Sequence, residues 1–303
     1  MPRNQLLLVV AALCLTIGLF YFGSRKTPTN ASQQANGEGG ETAGMPPMAA
    51  AMANKPFSPD SMLKVADQLN FEGIIEHVTK RLTPGQRDTL KRLNTQNQPN
   101  SATGWQNIAN QWQNWMYPEI SAYYLLRAAK TDTTKTNNWL AAGKALHDAM
   151  GITTDSLVFN FYLANAVNAY QKVLATNPAD TAAKTGLALC YIEGFSEQSQ
   201  QVMSGVFMLR DIVKQDSTNI KAQLALARMA MVSGQFDKAA ARLQTITTMA
   251  PNNPQGWYLT ADAQIALGNK QKAVEALENC KKLIKNPTFV AEIDKQIQSI
   301  LKP

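Results

Sequence analysis

Few residues in this chain can do chemistry, and their spacing does not combine them. There are two histidines, His77 and His147, and three cysteines, Cys14, Cys190 and Cys280, in 303 residues. A zinc hydrolase helix needs two imidazoles one turn apart beside a carboxylate, and a redox pair needs two thiols close enough to close a disulfide. Neither H-E-x-x-H nor C-x-x-C occurs, and no Gly-rich loop is set to cradle a phosphate with backbone amides. Each histidine falls on a helical stretch without a nucleophile or metal ligand at useful spacing, where a lone histidine usually packs or is solvated. Met45-Pro-Pro-Met48 with Met52 offers soft thioethers of the kind that hold Cu(I). No Cys or His stands beside them, and the stretch also reads as low-complexity filler. Asn30-Ala-Ser32 fits a glycosylation sequon, relevant only on a eukaryotic secretory route. Cys190 and Cys280 fall in apolar stripes and read as free, buried thiols. The chain therefore reads as a protein without catalysis, metal or cofactor. An enzyme with a concealed site in 58–100 is the alternative from that class.

The elements that position these residues are set by a period. Ala227, Gly234, Ala239, Leu243 and Ile246 recur 34 residues on as Ala261, Gly268, Ala273, Leu277 and Cys280. Trp105, Ala109 and Trp112 recur at the same distance as Trp139, Gly143 and Leu146. A fixed period of that length marks stacked helix–turn–helix units, each unable to bury its apolar face alone. In 223–251 the small Ala227 lets a second helix approach, and Gly234 stands where a left-handed cap ends the first helix. Ala239, Leu243 and Ile246 then form one buried stripe, and Pro251 stops the second helix.

On these residues the chain resembles the tetratricopeptide repeat (TPR) family, whose pattern runs W-x2-L-G-x2-Y and then A-x3-F-x2-A-x4-P. The unit from 101 shows Trp105-x2-Ile108-Ala109-x2-Trp112, then Ala122-x3-Leu126-x2-Ala129. The next shows Trp139-x2-Ala142-Gly143-x2-Leu146, an insertion around 151–160, then Ala166-x3-Tyr170-x2-Val173 and Pro178. A third has Leu187-Ala188-x2-Tyr191 and Gly205-x3-Leu209-x2-Ile212, stretched around 195–201. The last has Trp257-x2-Thr260-Ala261 and closes with Pro287. The resemblance covers about 101–287 in five units, three of them degenerate. It implies an all-α fold, a right-handed α-solenoid with a concave groove lined by the first helices. It also implies a groove set of Gln106, Asn110, Gln113, Lys144, His147, Arg228, Met231, Tyr258 and Asp262. Ordinary solvated helix surface is the competing reading for each of these residues. The family's carboxylate clamp is not reproduced. Asn110 matches, but Gln106 stands where Lys is expected, and Leu224 and Tyr258 occupy the equivalent places downstream.

Composition agrees with a stacked core, with 45% hydrophobic and 17% charged residues. Lys and Arg exceed Asp and Glu by 29 to 22, for a net charge of +7 and a pI near 9.2. The basic residues are dispersed among acids, whereas nucleic acid binding asks for a continuous basic stripe, so no nucleic acid partner is expected.

Leu6 to Phe22 is an uncharged run of 17 residues between Arg3 and Arg25-Lys26. As a helix it spans about 25 Å, at the short end for a bilayer core of roughly 30 Å. It ends in Phe20-Tyr21-Phe22, where a cleaved signal would show small residues. Residues 1–26 are therefore expected to be a single uncleaved N-terminal transmembrane helix. A removed signal and a lipidated Cys14 are the alternatives. The short polar head before the run places the bulk of the chain on the periplasmic side of a bacterial inner membrane. Residues 27–57 read as a disordered tether, lacking apolar periodicity. Residues 58–100 read as a helical extension, with one helix starting at Ser58-Pro59-Asp60 and another at Thr83-Pro84. Residues 288–303 read as a capping helix with Phe289, Val290, Ile293, Ile297 and Ile300 inward, and Glu292, Lys295, Gln296 and Ser299 outward. The function expected is a membrane-tethered scaffold binding a protein or peptide in its groove, in envelope protein assembly. An apocytochrome-binding factor resembling the TPR domains of cytochrome c maturation and a non-binding spacer are the alternatives. The partner's identity and the oligomeric state are not legible.

Overall fold

A computed structural model describes residues 63–64, 69–96, 101–195 and 199–302. The expected anchor at Leu6–Phe22, the tether at 27–57 and the helix start at Ser58 lie outside these residues. Among the described residues no helix is long and apolar enough to cross a membrane.

Thirteen helices and no strand are found among the described residues. They are α1 (Phe71–Arg81), α2 (Pro84–Gln96), α3 (Ala102–Asn114), α4 (Pro118–Thr131), α5 (Thr136–Met150), α6 (Ser156–Thr176), α7 (Thr181–Gly194), α8 (Gln200–Gln215), α9 (Ile220–Val232), α10 (Phe236–Met249), α11 (Pro254–Ala266), α12 (Lys270–Leu283) and α13 (Pro287–Leu301). From α3 to α12 they pair as five successive units, each first helix packed on its second and each second helix on the first helix of the next unit. The result is an α-solenoid of TPR type.

Short polar side chains start the helices by accepting from otherwise orphaned amides. Asn70, Ser101, Asp155, Asp180, Ser199, Asn219, Asn253 and Asn286 each do so. Thr83 and Gln86 exchange bonds as a reciprocal capping box ahead of α2. Three first helices close in the same way. Gly234 and Gly268 have φ of 71° and 76°, and Met116, at the same place in the first unit, has φ of 65°. In each case the next amide reaches back five residues: Tyr117 to Trp112 O (3.0 Å), Gln235 to Ala230 O (2.8 Å) and Asn269 to Gln264 O (2.8 Å).

Small residues decide how closely the paired helices pack. Ala109, Ala142, Ala188, Ala227 and Ala261 are fully buried on the first helices, and Ala239 and Ala273 are fully buried on second helices. Tyr170, from α6, lies between two first helices. A methyl built on Gly143 of α5 would sit 3.0 Å from its ring, and one on Gly186 of α7 only 2.2 Å away. The starts of three first helices, α5, α9 and α11, are also tied to the turn before them. Trp139 Nε1 donates to Thr133 O (3.1 Å), Gln223 Nε2 to Ser217 O (3.0 Å) and Trp257 Nε1 to Pro251 O (2.7 Å), each reaching six residues back.

The irregularities are absorbed locally. The insertion expected around 151–160 is a five-residue turn followed by the opening turns of α6, which reaches 21 residues. Between the helix starts expected at Ser58 and Thr83 there is a further one, because Asn70 caps a fresh start at Phe71, its side chain accepting from Gly73 N (2.9 Å). Helix α13 buries Ile293 and Ile297 against Ala261, Leu277 and Cys280, with Phe289 and Ile300 packed alongside. The expectation that Gln296 points away is corrected, since its amide hydrogen-bonds Asp262 and Tyr258 on α11. Cys190 and Cys280 are free and buried.

Candidate functional site

Curvature follows from which helices meet. The first helices α5 and α7, α7 and α9, and α9 and α11 approach one another more closely than do any successive second helices. First helices therefore line the inside of the curve.

The nine sequence-derived residues differ in their surroundings. Asn110, Gln113 and Lys144 are exposed, and Arg228 and Met231 are half-buried. Gln106, His147, Tyr258 and Asp262 take part in bonds that skip one helix along the stack. Gln106 donates through Nε2 to Asn138 Oδ1 at 2.8 Å, joining α3 to the start of α5. His147 Nε2 lies 3.0 Å from Glu193 Oε2, joining α5 to α7, and its Nδ1 lies 3.8 Å from Asp148 Oδ1. Burial opposes the charge on this imidazole, but the Asp148 and Glu193 carboxylates outweigh it and push its pKa up to about 9. The ring is thus an imidazolium at neutral pH. Asp262 and Tyr258 receive the Gln296 amide, joining α11 to α13. Burial pushes the Asp262 carboxyl up to about 7, against the Gln296 hydrogen bond, and Tyr258 up to about 12 with Asp262 nearby. By sequence these residues group as one binding surface. In the structure four of them, Gln106, His147, Tyr258 and Asp262, also bond to residues of another helix.

Two apolar residues on the same helices were not in the set. Val232 on α9 is 61% exposed and Ile265 on α11 is 41% exposed. Their signal in the sequence was available: each lies near the end of a first helix, just before the capping glycine, off the buried stripe.

A second concavity was not predicted. It is a cleft of about 270 Å³ lined by Asn70, Glu72, Tyr123, Arg127, Lys130 and Phe161 among others. Phe71 stacks on Tyr123 and Phe161 with ring centroids 4.5 and 5.0 Å apart, and Glu72 accepts from Tyr123 Oη (2.8 Å) and Arg127 Nη1 (2.7 Å). Arg127 also lies 4.0 Å over the Trp105 ring. These contacts fasten α1 to both of the first two units. No period marks them in the sequence, because α1 belongs to no repeat.

Comparison with known proteins supports the fold. Residues 205–263 and 233–281 match the family described as tetratricopeptide repeat. Curated protein sequences give no match. Among solved structures, a thermophilic TPR protein of Thermus thermophilus is similar over 66% of this chain and 98% of its own, with a TM-score of 0.50 and 13% identity. YrrB, a TPR protein with an unusual peptide-binding site, covers 68% of this chain and 97% of its own, with a TM-score of 0.40 and 15% identity. At such low identity the likeness to the Thermus protein speaks for the fold alone.

Proposed function

From the tetratricopeptide repeat match over 205–281 and the stacked helix pairs we propose that this chain is a scaffold holding a protein or peptide partner along the concave face of its first helices. The observation that supports this reading is the exposure of Val232 and Ile265 near the ends of the neighbouring first helices α9 and α11, with Asn110, Gln113 and Lys144 exposed on the first helices α3 and α5. Such a face suits a segment with an apolar stripe and polar flanks, an amphipathic helix or an extended peptide. The polar bonds between units fix the face before a partner arrives, which lowers the ordering cost of binding.

The reading also includes a membrane setting. Leu6–Phe22 anchors the chain, 27–57 tethers the repeats, and 58–303 works outside the cytoplasm in envelope protein assembly. The uncharged run, its aromatic end and the polar tether support this.

The test uses a photo-crosslinking residue in place of Val232 or Ile265 in the full chain, with Lys172, exposed on α6, as the control position. One discrete adduct at both groove positions and none at Lys172 is expected. Equal labelling at all three positions would count against a groove partner. Resistance of the full chain to carbonate extraction, with protease in spheroplasts cutting first in 27–57, is expected of the anchor. A mature N-terminus near residue 31 would remove the tethering half of the reading and leave the groove untouched.

A further inference from the structure

Helix α1 belongs to no repeat, and it meets the repeats through two adjacent side chains of opposite character. Phe71 is 3% exposed, stacked on Tyr123 of α4 and Phe161 of α6, with Tyr162 edge-on at 6.0 Å. Glu72 is exposed, yet it accepts from Tyr123 Oη at 2.8 Å and from Arg127 Nη1 at 2.7 Å. Farther along α1 the charged side chains pair within the helix, Lys80 with Glu76 at 2.8 Å and Arg81 with His77 at 2.7 Å. Ile75, one turn on from Phe71, is buried as well.

The groups that receive the Phe71-Glu72 pair are set by the repeats themselves. Arg127 lies 4.0 Å over the Trp105 ring of α3 and 5.9 Å from the centre of the Tyr123 ring. Tyr123 also meets Tyr124 edge-on at 5.6 Å and Phe161 at 6.3 Å, and Phe161 meets Tyr162 at 5.7 Å. All of these contacts run among α3, α4 and α6, and none of them needs α1. A site ordered in advance binds without the cost of arranging itself. The cleft of about 270 Å³ lies beside the pair and is rimmed by exposed Asn70, Glu72 and Lys130. It is smaller than the roughly 300–1,000 Å³ of sites that enclose a whole small molecule. A side chain can enter there.

We propose that Tyr123, Arg127, Phe161 and Tyr162 form a docking site for a partner peptide that carries an aromatic residue followed by an acid. Phe71-Glu72 fills this site in cis as a stand-in. The ring of such a pair is taken by ring faces and an edge, and its carboxylate by a phenol and a guanidinium. An exposed ion pair adds little net hold, so the stand-in is kept mainly by its ring, and an incoming ring with the same contacts competes directly. The stand-in has the advantage of being tethered, which a partner offsets by concentration or by further contacts. Helices α4 and α6 are second helices, so this site is separate from the concave face, and either reading can fail without the other.

The experiment empties the site with F71A/E72A in the full chain, in detergent, and follows a labelled peptide by fluorescence anisotropy. The probe is a short Gly/Ser peptide with a central Phe-Glu, which lacks the rest of α1. Saturable binding of one peptide per emptied chain is expected, about tenfold or more tighter than to the parent, whose site is filled. Ala-Glu and Phe-Gln versions of the probe, or R127Q added to the emptied chain, should each weaken it by about tenfold. F71L/E72Q, which keeps an apolar side chain at the buried position, gives the same comparison if the double alanine chain loses helix. Binding of a peptide of residues 69–82 without binding of the Gly/Ser probe would make α1 a packing strut that needs Ile75, and overturns the proposal. Equal binding of the probe to parent and emptied chains, or none to either emptied chain, also overturns it. A parent dimer that F71A/E72A turns into a monomer would place α1 in the site of a second copy and overturns the stand-in in cis.

Discussion

Asp262 shows how a single groove residue changes its meaning once its neighbours are known. Read as a groove acid, it should attract a basic partner. In the fold it is a half-buried carboxyl with the Gln296 amide as partner, and burial pushes its pKa up to about 7 from an ordinary value of 3.8. The folded state therefore holds this proton more tightly than the unfolded chain does. The stability it contributes is complete below the ordinary value and is lost as pH rises through about 7. A gap of that size corresponds to at most about 4 kcal/mol. Asp262→Asn should match the parent near pH 4 and melt higher than the parent at pH 8. A parallel pair of melting curves across that range would mean that the carboxyl is solvated after all. Gly186 is a second case. A methyl there would sit 2.2 Å from the Tyr170 ring, so Gly186→Ala should cost roughly 1–3 kcal/mol by overpacking. Tyr170→Leu in the same chain should recover part of that loss, since the two residues then cease to collide. Denaturant melts of the four chains measure the coupling.

At the scale of elements, the repeated helix ends are the most informative feature. Met116 holds φ of 65° where the fourth and fifth units place glycine, and it is 72% exposed. Its side chain gives little in packing and its backbone sits in the region that L-residues avoid. Met116→Gly should therefore stabilise by roughly 1 kcal/mol, read as a higher denaturation midpoint at unchanged slope. Ala227 tests the opposite face of the same helix type. It is fully buried where α9 packs with α10, and Ala227→Leu should cost roughly 1–3 kcal/mol. Much of this was legible in the sequence, because Ala227, Gly234 and the stripe Ala239-Leu243-Ile246 recur one period on and each has a local steric reason. The restart of the helix at Phe71 was not. The sequence reads as helical from Ser58 on, and the new start at Phe71 is marked by the side-chain cap of Asn70. The split of the groove set was also hidden. Gln106, His147 and Asp262 find partners 32, 46 and 34 residues away, and no spacing rule names Asn138, Glu193 or Gln296 as those partners.

For the whole molecule, contacts between neighbours alone make stability a sum over adjacent units. Helix α13 covers Ala261, Leu277 and Cys280 at one end of the stack. A chain ending at residue 283 should expose that cluster, and amide exchange in α11 and α12 should quicken while α3 and α4 keep their protection. Uniform acceleration along the chain would show one cooperative body instead. The crowding of first helices on the inner side, against the looser second helices, has a mechanical side as well. Bending the stack tighter presses together α5, α7, α9 and α11, which already touch, whereas straightening it only separates them. Close-packed side chains resist compression far more than modest parting. The solenoid is thus a one-sided spring, stiff toward closure and compliant toward opening. A guest too large for the resting curve can be admitted by uncoiling, while a guest too small cannot draw the walls inward to meet it.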